Sequence, residues 1–364
     1  MKILFAATVD IHIINHHLRI IHALHEAGHR VDVAANGDYT NADITRKYNI
    51  CFSKNPLSTD NLKAEREMKR ILREEDYDII SCHTPLSSYF VRLAARGTRA
   101  KVIYTAHGFH FYKGCPLINR TIYKTMEAHA AHFTDTLVTI NREDYEAACR
   151  FRLKKGGQVK LIPGVGIDLA KIHDQAASKE EVRRMLGIPE DAFVCISVGE
   201  VNKNKNQLTV IEALAEDFKQ NDKLYYVICG RGPLEDTVHQ RIAELGLEKR
   251  ILLLGYREDA VKLLYGCDLF FSPSYREGLP VSVMEAMAAG VPVVASNVRG
   301  NRDLIEDGKS GMLYEPDDRE TLGRIFRKLY GDASLREKTA ETARLEVRKY
   351  AKEAIDPQIL ALYE

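Results

Sequence analysis

Residues 269–296 read LFFSPSYREGLPVSVMEAMAAGVPVVAS. Leu269 to Ser272 form a short apolar run of the kind that a strand buried on both faces requires. A loop with Pro273, Arg276, Glu277 and Gly278 follows. Pro280 suits the first position of a helix, Gly290 suits its end, and Pro292 opens a second apolar run, VPVVAS. Strand, loop, helix and strand in this order build a parallel sheet. The N–H groups of Gly278, Leu279 and the first helical turn are expected to make an anion site at the positive end of the helix dipole. Glu277 lies in the loop and Glu285 within the helix. Two carboxylates beside an anion site fit a nucleotide sugar: diphosphate on the helix end, one carboxylate on ribose hydroxyls and one on hexose hydroxyls. Each such charge-assisted bond contributes about 1.5–3 kcal/mol. Singly, either glutamate reads as a solvated side chain; the surrounding block makes them a site.

The same alternation extends both ways. AFVCISVGE, YYVICGRG and ILLLGY precede the block, each separated by helical runs, so the second half is a doubly wound α/β domain. The first half repeats the logic with KILFAAT, RVDVAAN, YDIISCH, KVIYTAHG and TLVTIN as strands. Between the halves, KLIPGVGID breaks the pattern with Pro163, Gly164 and Gly166. A length of 364 residues agrees with two domains. The expected division is 1–165, 166–345 and a terminal segment 346–364, where Pro357 after Asp356 reads as a cap and helix restart.

A net charge of +1, with acidic and basic residues interspersed, argues against a nucleic-acid partner. Seven scattered cysteines without C-x-x-C read as reduced thiols, which points to the cytoplasm. Neither a leader peptide nor a membrane-spanning apolar stretch is expected.

One motif competes. His25-Glu26-Ala27-Gly28-His29 matches H-E-x-x-H, the zinc-peptidase spacing. Gly28 sits where a helix would end, and RVDVAANG follows at once, so His29 is expected in a turn, off the face that carries His25. Most other histidines crowd the first half. A metal cluster is conceivable there, but helix faces and strand ends explain most of them. His83 and His107 follow apolar strands at their carboxyl ends, where open α/β sheets bind ligands.

The block at 269–296, with VICGRGPLED, ILLLGYRED, IPGVGID and the N-terminal L…GHRVDVAA pattern, resembles the retaining glycosyltransferases of family four. These are two-domain GT-B enzymes with two Rossmann-like, doubly wound sheets facing a cleft. TAHGFHFYKG and VGEVNKNKNQ resemble the branch that builds bacterial capsular polysaccharide and exopolysaccharide. The resemblance implies an acceptor-binding first domain and a donor-binding second one. It implies transfer of a hexose or N-acetylhexosamine from a nucleotide sugar, UDP-linked by the family branch, to a glycan acceptor. It places Glu277 on the transferred sugar, Glu285 on the ribose, and Gly278, Leu279 and Pro280 on the diphosphate, with Lys205 neutralising that group as it leaves. Gly199, Gly230 and the Gly255-Tyr256-Arg257 loop complete the donor site, and His107 reaches the donor sugar. No cofactor and no metal are implied. Where the family carries an arginine this chain has Glu200, and Lys203 or Arg276 are the substitutes at hand. The acceptor side is expected on 9–15 and 108–120. There Lys113, Arg120, Tyr123 and Lys124, with Phe109, Phe111 and Tyr112, form either a basic, aromatic surface suited to a lipid-linked acceptor at the inner membrane face or an ordinary solvated one. The rival classes are a nucleotide-sugar epimerase of the same fold, a zinc hydrolase using His25 and His29, and a catalytically inactive binding protein.

Overall fold

The computed structural model describes residues 1–53, 55, 58–112, 114, 115 and 117–364, and of residue 119 the backbone only. The chain divides into two compact units, 1–166 with 353–364, and 167–352.

Among the described residues, the first unit holds a seven-stranded parallel sheet. Its strands are β1 (Lys2–Val9), β2 (Arg30–Asn36), β3 (Arg46–Asn49), β4 (Ile79–His83), β5 (Lys101–Ala106), β6 (Thr136–Thr139) and β7 (Gln158–Leu161). They lie in the order β3-β2-β1-β4-β5-β6-β7. The order reverses between β1 and β4, where Phe5 pairs with Ser81. The second unit carries β8 (Phe193–Val198), β9 (Leu224–Cys229), β10 (Ile251–Leu253), β11 (Leu269–Ser272), β12 (Val293–Ser296) and β13 (Met312–Tyr314). Their order is β10-β9-β8-β11-β12-β13, again parallel, reversing between β8 and β11. The central strands are buried on both faces because helices cover both, which is why they read as unbroken apolar runs. Burying a side chain such as Phe270 or Phe271 there stabilises the fold by about 1.5–3 kcal/mol.

Local chemistry fixes the ends. The helix Leu18–Glu26 buries Ile20, Ile21 and Leu24, stops at Ala27, and turns through Gly28 at φ 80°. His29 lies outside the helix and directly precedes β2, so the two histidines of H-E-x-x-H belong to different elements. The 281–289 helix begins at Val281 rather than at Pro280. Pro280 is its N-cap, held extended with ψ 118°. The expected restart at Pro357 is not found. Lys352–Leu360 is one helix with Pro357 inside it. A proline costs a helix one N–H donor, and Pro357 lies on the exposed side, so the helix runs on through it. This segment joins the first unit's core: Ile355, Leu362 and Tyr363 pack with Ile3, Phe5 and Val138. The hydroxyl of Tyr363 lies 2.8 Å from Ser81 Oγ, and Lys101 Nζ donates to the Leu362 carbonyl at 2.8 Å.

Phe109 and Phe111 are buried, stacked with centroids 4.7 Å apart and flanked by Phe151. They are core, not surface, because the turn after β5 folds them inward. Tyr112 packs partly buried against the same core, and Lys113 lies outside the described residues. Arg120 and Lys124 are exposed, beside Leu117, Ile118 and Ile122 at 78%, 69% and 45% exposure. Among the described residues no helix is long and apolar enough to cross a membrane.

Candidate active site

The carboxyl edge of the second sheet gathers most of the predicted donor-site residues. β8, β9 and β10 end side by side: the Gly199 N–H donates to Cys229 at 2.9 Å and the Gly230 N–H to Gly255 at 2.7 Å. At Gly230, φ is 154° and a β-carbon would lie 1.9 Å from the Gly199 carbonyl oxygen. Only a glycine lets the two strand ends approach this closely.

The loop after β8 is tied to the loop after β11. Tyr275 N–H donates to the Asn204 carbonyl at 2.8 Å, and the Asn204 side-chain amide donates to the Arg276 carbonyl at 3.0 Å. Asn202 Oδ1 accepts from Lys205 N–H at 2.9 Å. These bonds bring Lys205 to Glu277, with Nζ 2.7 Å from Oε1. The carboxylate side chain is 9% exposed and the lysine side chain 26%. A buried carboxylate needs such a partner. The ammonium has three donors, so the bond to Glu277 leaves it able to serve an anion as well.

Glu277 is held from behind too. Arg299 Nε donates to its carbonyl at 3.2 Å. At Gly300, φ is 79° and a β-carbon would lie 2.6 Å from the Gly278 carbonyl oxygen. The turn after β12 is thereby pressed against the loop.

The 281–289 helix starts next to Glu277 with no side-chain cap on its first-turn N–H groups, and its Val283, Met284 and Met287 are buried. Leu279 is buried. Glu285 stands in the second turn, half-buried. Burial pushes its carboxyl up to about 7, against an opposing pull from Lys171. It is an acid that changes charge near neutrality.

Other predicted residues are placed differently. Tyr256 is exposed, and Arg257 is engaged in a two-point ion pair with Asp259, 2.8 and 2.6 Å, so its cationic fork is already used. Glu200 and Lys203 are exposed, and the Glu200 carbonyl accepts from Gln207 at 3.1 Å. His107 belongs to the first unit, just past β5. A cavity of about 250 Å³ around Tyr265, Gly290 and Arg336 lies at the far end of the 281–289 helix and contains none of these residues.

Sequence reading missed Asn202, Asn204, Arg299 and Gly300. The Asn-rich NKNKN loop signalled turn chemistry. Arg299-Gly300 after an apolar strand was the other available signal.

Family models match on both sides of the interdomain junction: "Glycosyltransferase Family 4" over residues 15–171 and "Glycosyl transferases group 1" over 178–346. The chain is 34% identical over 366 residues to the putative glycosyltransferase EpsD of Bacillus subtilis, covering all of this chain and 96% of that protein. The chain belongs to glycosyltransferase family 4. It is also 30% identical over 302 residues to an Escherichia coli UDP-Gal:alpha-D-GlcNAc-diphosphoundecaprenol alpha-1,3-galactosyltransferase, covering 82% of this chain and 78% of that one. Among solved structures, Anabaena Alr3699/HepE in complex with UDP and glucose superposes with TM-score 0.79 at 22% identity, covering 100% and 99% of the two chains. Sucrose-phosphate synthase from Thermosynechococcus elongatus superposes with TM-score 0.81 at 20% identity, covering 100% and 98%. The fold is GT-B and the chain is a glycosyltransferase.

Proposed function

We propose that this glycosyltransferase moves a hexose or N-acetylhexosamine from a UDP-sugar to a lipid-linked glycan, with retention, in cell-surface polysaccharide synthesis. The observation that carries the reading is the Lys205–Glu277 pair beside the uncapped start of the 281–289 helix. Lys205 and the first-turn N–H groups receive the diphosphate. Glu277, held on its carbonyl by Arg299, accepts from hydroxyls of the transferred sugar, and Glu285 accepts from the ribose. Gly199, Gly230 and Gly255 give the nucleotide backbone to lie against, with the side chains of Lys205 beside Gly199 and Arg231 beside Gly255. For His107, the family match alone supports a contact with the sugar.

In the transfer, the bond from the anomeric carbon to the phosphate oxygen breaks and its electron pair stays on that oxygen. The acceptor hydroxyl forms the new bond on the same face, and its proton passes to the departing phosphate. Positive charge grows on the ring and negative charge on the phosphate. Preorganised donors and the Lys205 ammonium stabilise the latter, so the charge there is met by this chain's own residues.

The Escherichia coli relative, named for UDP-galactose and a diphosphoundecaprenol-linked sugar, supports both donor and acceptor class. Anabaena HepE with UDP-glucose supports the nucleotide. Exposed Leu117, Ile118 and Ile122 with Arg120 and Lys124 support peripheral contact with an anionic membrane face, on the cytoplasmic side where such acceptors are assembled. The EpsD likeness supports exopolysaccharide or capsule as the product.

The test is a thermal-shift screen of nucleotide sugars, followed by mass spectrometry of products with polyprenyl-diphosphate-linked acceptors. A glycosylated acceptor and released UDP are expected. Isomerised donor in the absence of acceptor would replace this reading with an epimerase.

A further inference from the structure

Four imidazoles meet where the strand order of the first unit reverses. His12 lies on the Asp10–His16 helix, and His17 joins that helix to Leu18–Glu26. His83 closes β4 and His107 follows β5. One ring nitrogen from each lies within 4.8 Å of those of the other three. Nε2 of His12 and Nε2 of His17 are 3.3 Å apart. A tetrahedron with Zn–N bonds of about 2.0–2.1 Å has an N···N edge of about 3.3 Å.

Hydrogen bonding alone does not account for the cluster. His83 Nε2 meets Ser81 Oγ at 3.1 Å, and Ser81 is in turn bonded to Tyr363. This leaves His83 Nδ1, which is buried without a hydrogen-bond partner, as is His107 Nε2. Buried ring nitrogens are costly to leave unpaired. One nitrogen oriented by a hydroxyl while the other stays open is the arrangement that orients ligating histidines. Phe5 stacks on His83 at 5.6 Å and closes the apolar side. Burial, and then the neighbouring rings, lower all four imidazoles, His12 to about 3. Neutral imidazole is the form that has a lone pair to donate.

We propose that His12, His17, His83 and His107 form a tetrahedral zinc site that fastens the corner between the first two helices to the carboxyl ends of β4 and β5. An all-imidazole set selects zinc-like ions over magnesium or calcium, which prefer oxygen. His16, with its ring 4.9 Å from that of His12, stands outside the four. It shares with His12 the lining of a cavity of about 400 Å³, which gives the ion a way in. The site does not rest on the diphosphate chemistry assigned to the second unit, but it shares His107 with the sugar contact proposed above, since an imidazole that ligates through one nitrogen can donate from the other. It is separate from His25 and His29.

Full-length protein stripped by chelator and dialysed is titrated with Co(II) and then with Zn(II). One equivalent of Co(II) is expected to give the visible bands of tetrahedral coordination, and one equivalent of Zn(II) to bleach them. Zinc well above its Kd raises the Tm by about 5 °C. His12→Ala and His83→Asn weaken Co(II) and Zn(II) binding by at least about tenfold, because three imidazoles and a water replace four imidazoles, and His25→Ala keeps the parental affinity. Metal-free melts show whether each variant folds; if His83→Asn does not, half-buried His12→Ala decides the matter. Absence of stoichiometric Co(II) uptake, parental Co(II) affinity in His12→Ala, or weakened affinity in His25→Ala overturns the proposal.

Discussion

The two units reverse their strand order at equivalent places, β1/β4 and β8/β11, yet furnish those places in opposite ways. The first edge is crowded with side chains: rings from His12, His17, His83 and His107 fill it, and two of their nitrogens find no partner. The second edge is cleared of them. Glycines let backbone approach backbone, the Lys205–Glu277 pair stands beside a helix start, and Arg257 is paired off with Asp259. The same topology thus supplies a location, and side-chain inventory decides whether that location suits a compact cation or an extended anion.

The largest expected effect is on the cleared edge. Lys205→Ala and Glu277→Ala should each lower kcat/KM by about 10²–10³-fold, the usual cost of losing a preorganised charge partner in the transition state. Circular-dichroism melts should stay close to the parent's. Parental turnover in either variant would detach the chemistry from this edge.

Next comes backbone clearance. Gly230→Ala, with its β-carbon 1.9 Å from a carbonyl oxygen, should cost about 2–4 kcal/mol in urea unfolding. Gly28→Ala, at φ 80°, also has a positive φ but nothing within 4 Å of the added carbon, and should cost about 1 kcal/mol. Equal losses would mean that conformation, and not close approach, is what the second edge requires.

Glu285 sharpens the contrast through pH. Its carboxyl is raised to about 7 in the free protein, and ribose hydroxyls donating to it favour the charged form. UDP binding should therefore release protons near neutrality, and affinity should fall about tenfold from pH 8 to pH 6. Calorimetry in buffers of different ionisation enthalpy reads this directly. For folding the sign is the reverse. A raised acid contributes stability that is present below the ordinary glutamate range and lost as pH rises through about 7, so Glu285→Gln should gain stability at pH 8 relative to the parent. A pH-independent UDP affinity would remove Glu285 from the ribose. The smallest effect is on the motif that looked most like a metal site: His25→Ala should leave transfer within about twofold of the parent. A large loss would restore H-E-x-x-H to consideration.

The interior strands were legible because a strand covered on both faces must be apolar throughout. Three strands were missed: β3 (RKYN), β7 (QVKL) and β13 (MLY). All three are sheet edges. An edge strand is held mainly by its one neighbour, so its composition carries little signal. At the site, Glu277, Glu285 and the helix start were legible because they share one short block. The Lys205–Glu277 contact spans 72 positions and was carried by resemblance, not by spacing. Asn204 and Arg299 act on backbone carbonyls, so NKNKN and Arg299-Gly300 announced turns but not the groups those side chains hold. The four-histidine cluster was dispersed among helix faces and strand ends for the same reason: its members are joined only by the sheet.

The final helix and its Tyr363–Ser81 bond also bear on how the molecule is made. Residues 167–352 are one uninterrupted piece and can close as soon as they leave the ribosome. The other unit, although it is synthesised first, waits for residues 353–364 before its core is complete. Order of synthesis and order of completion are therefore reversed, and Phe5 and Ser81 lack their Tyr363 partner until residues 353–364 have been made.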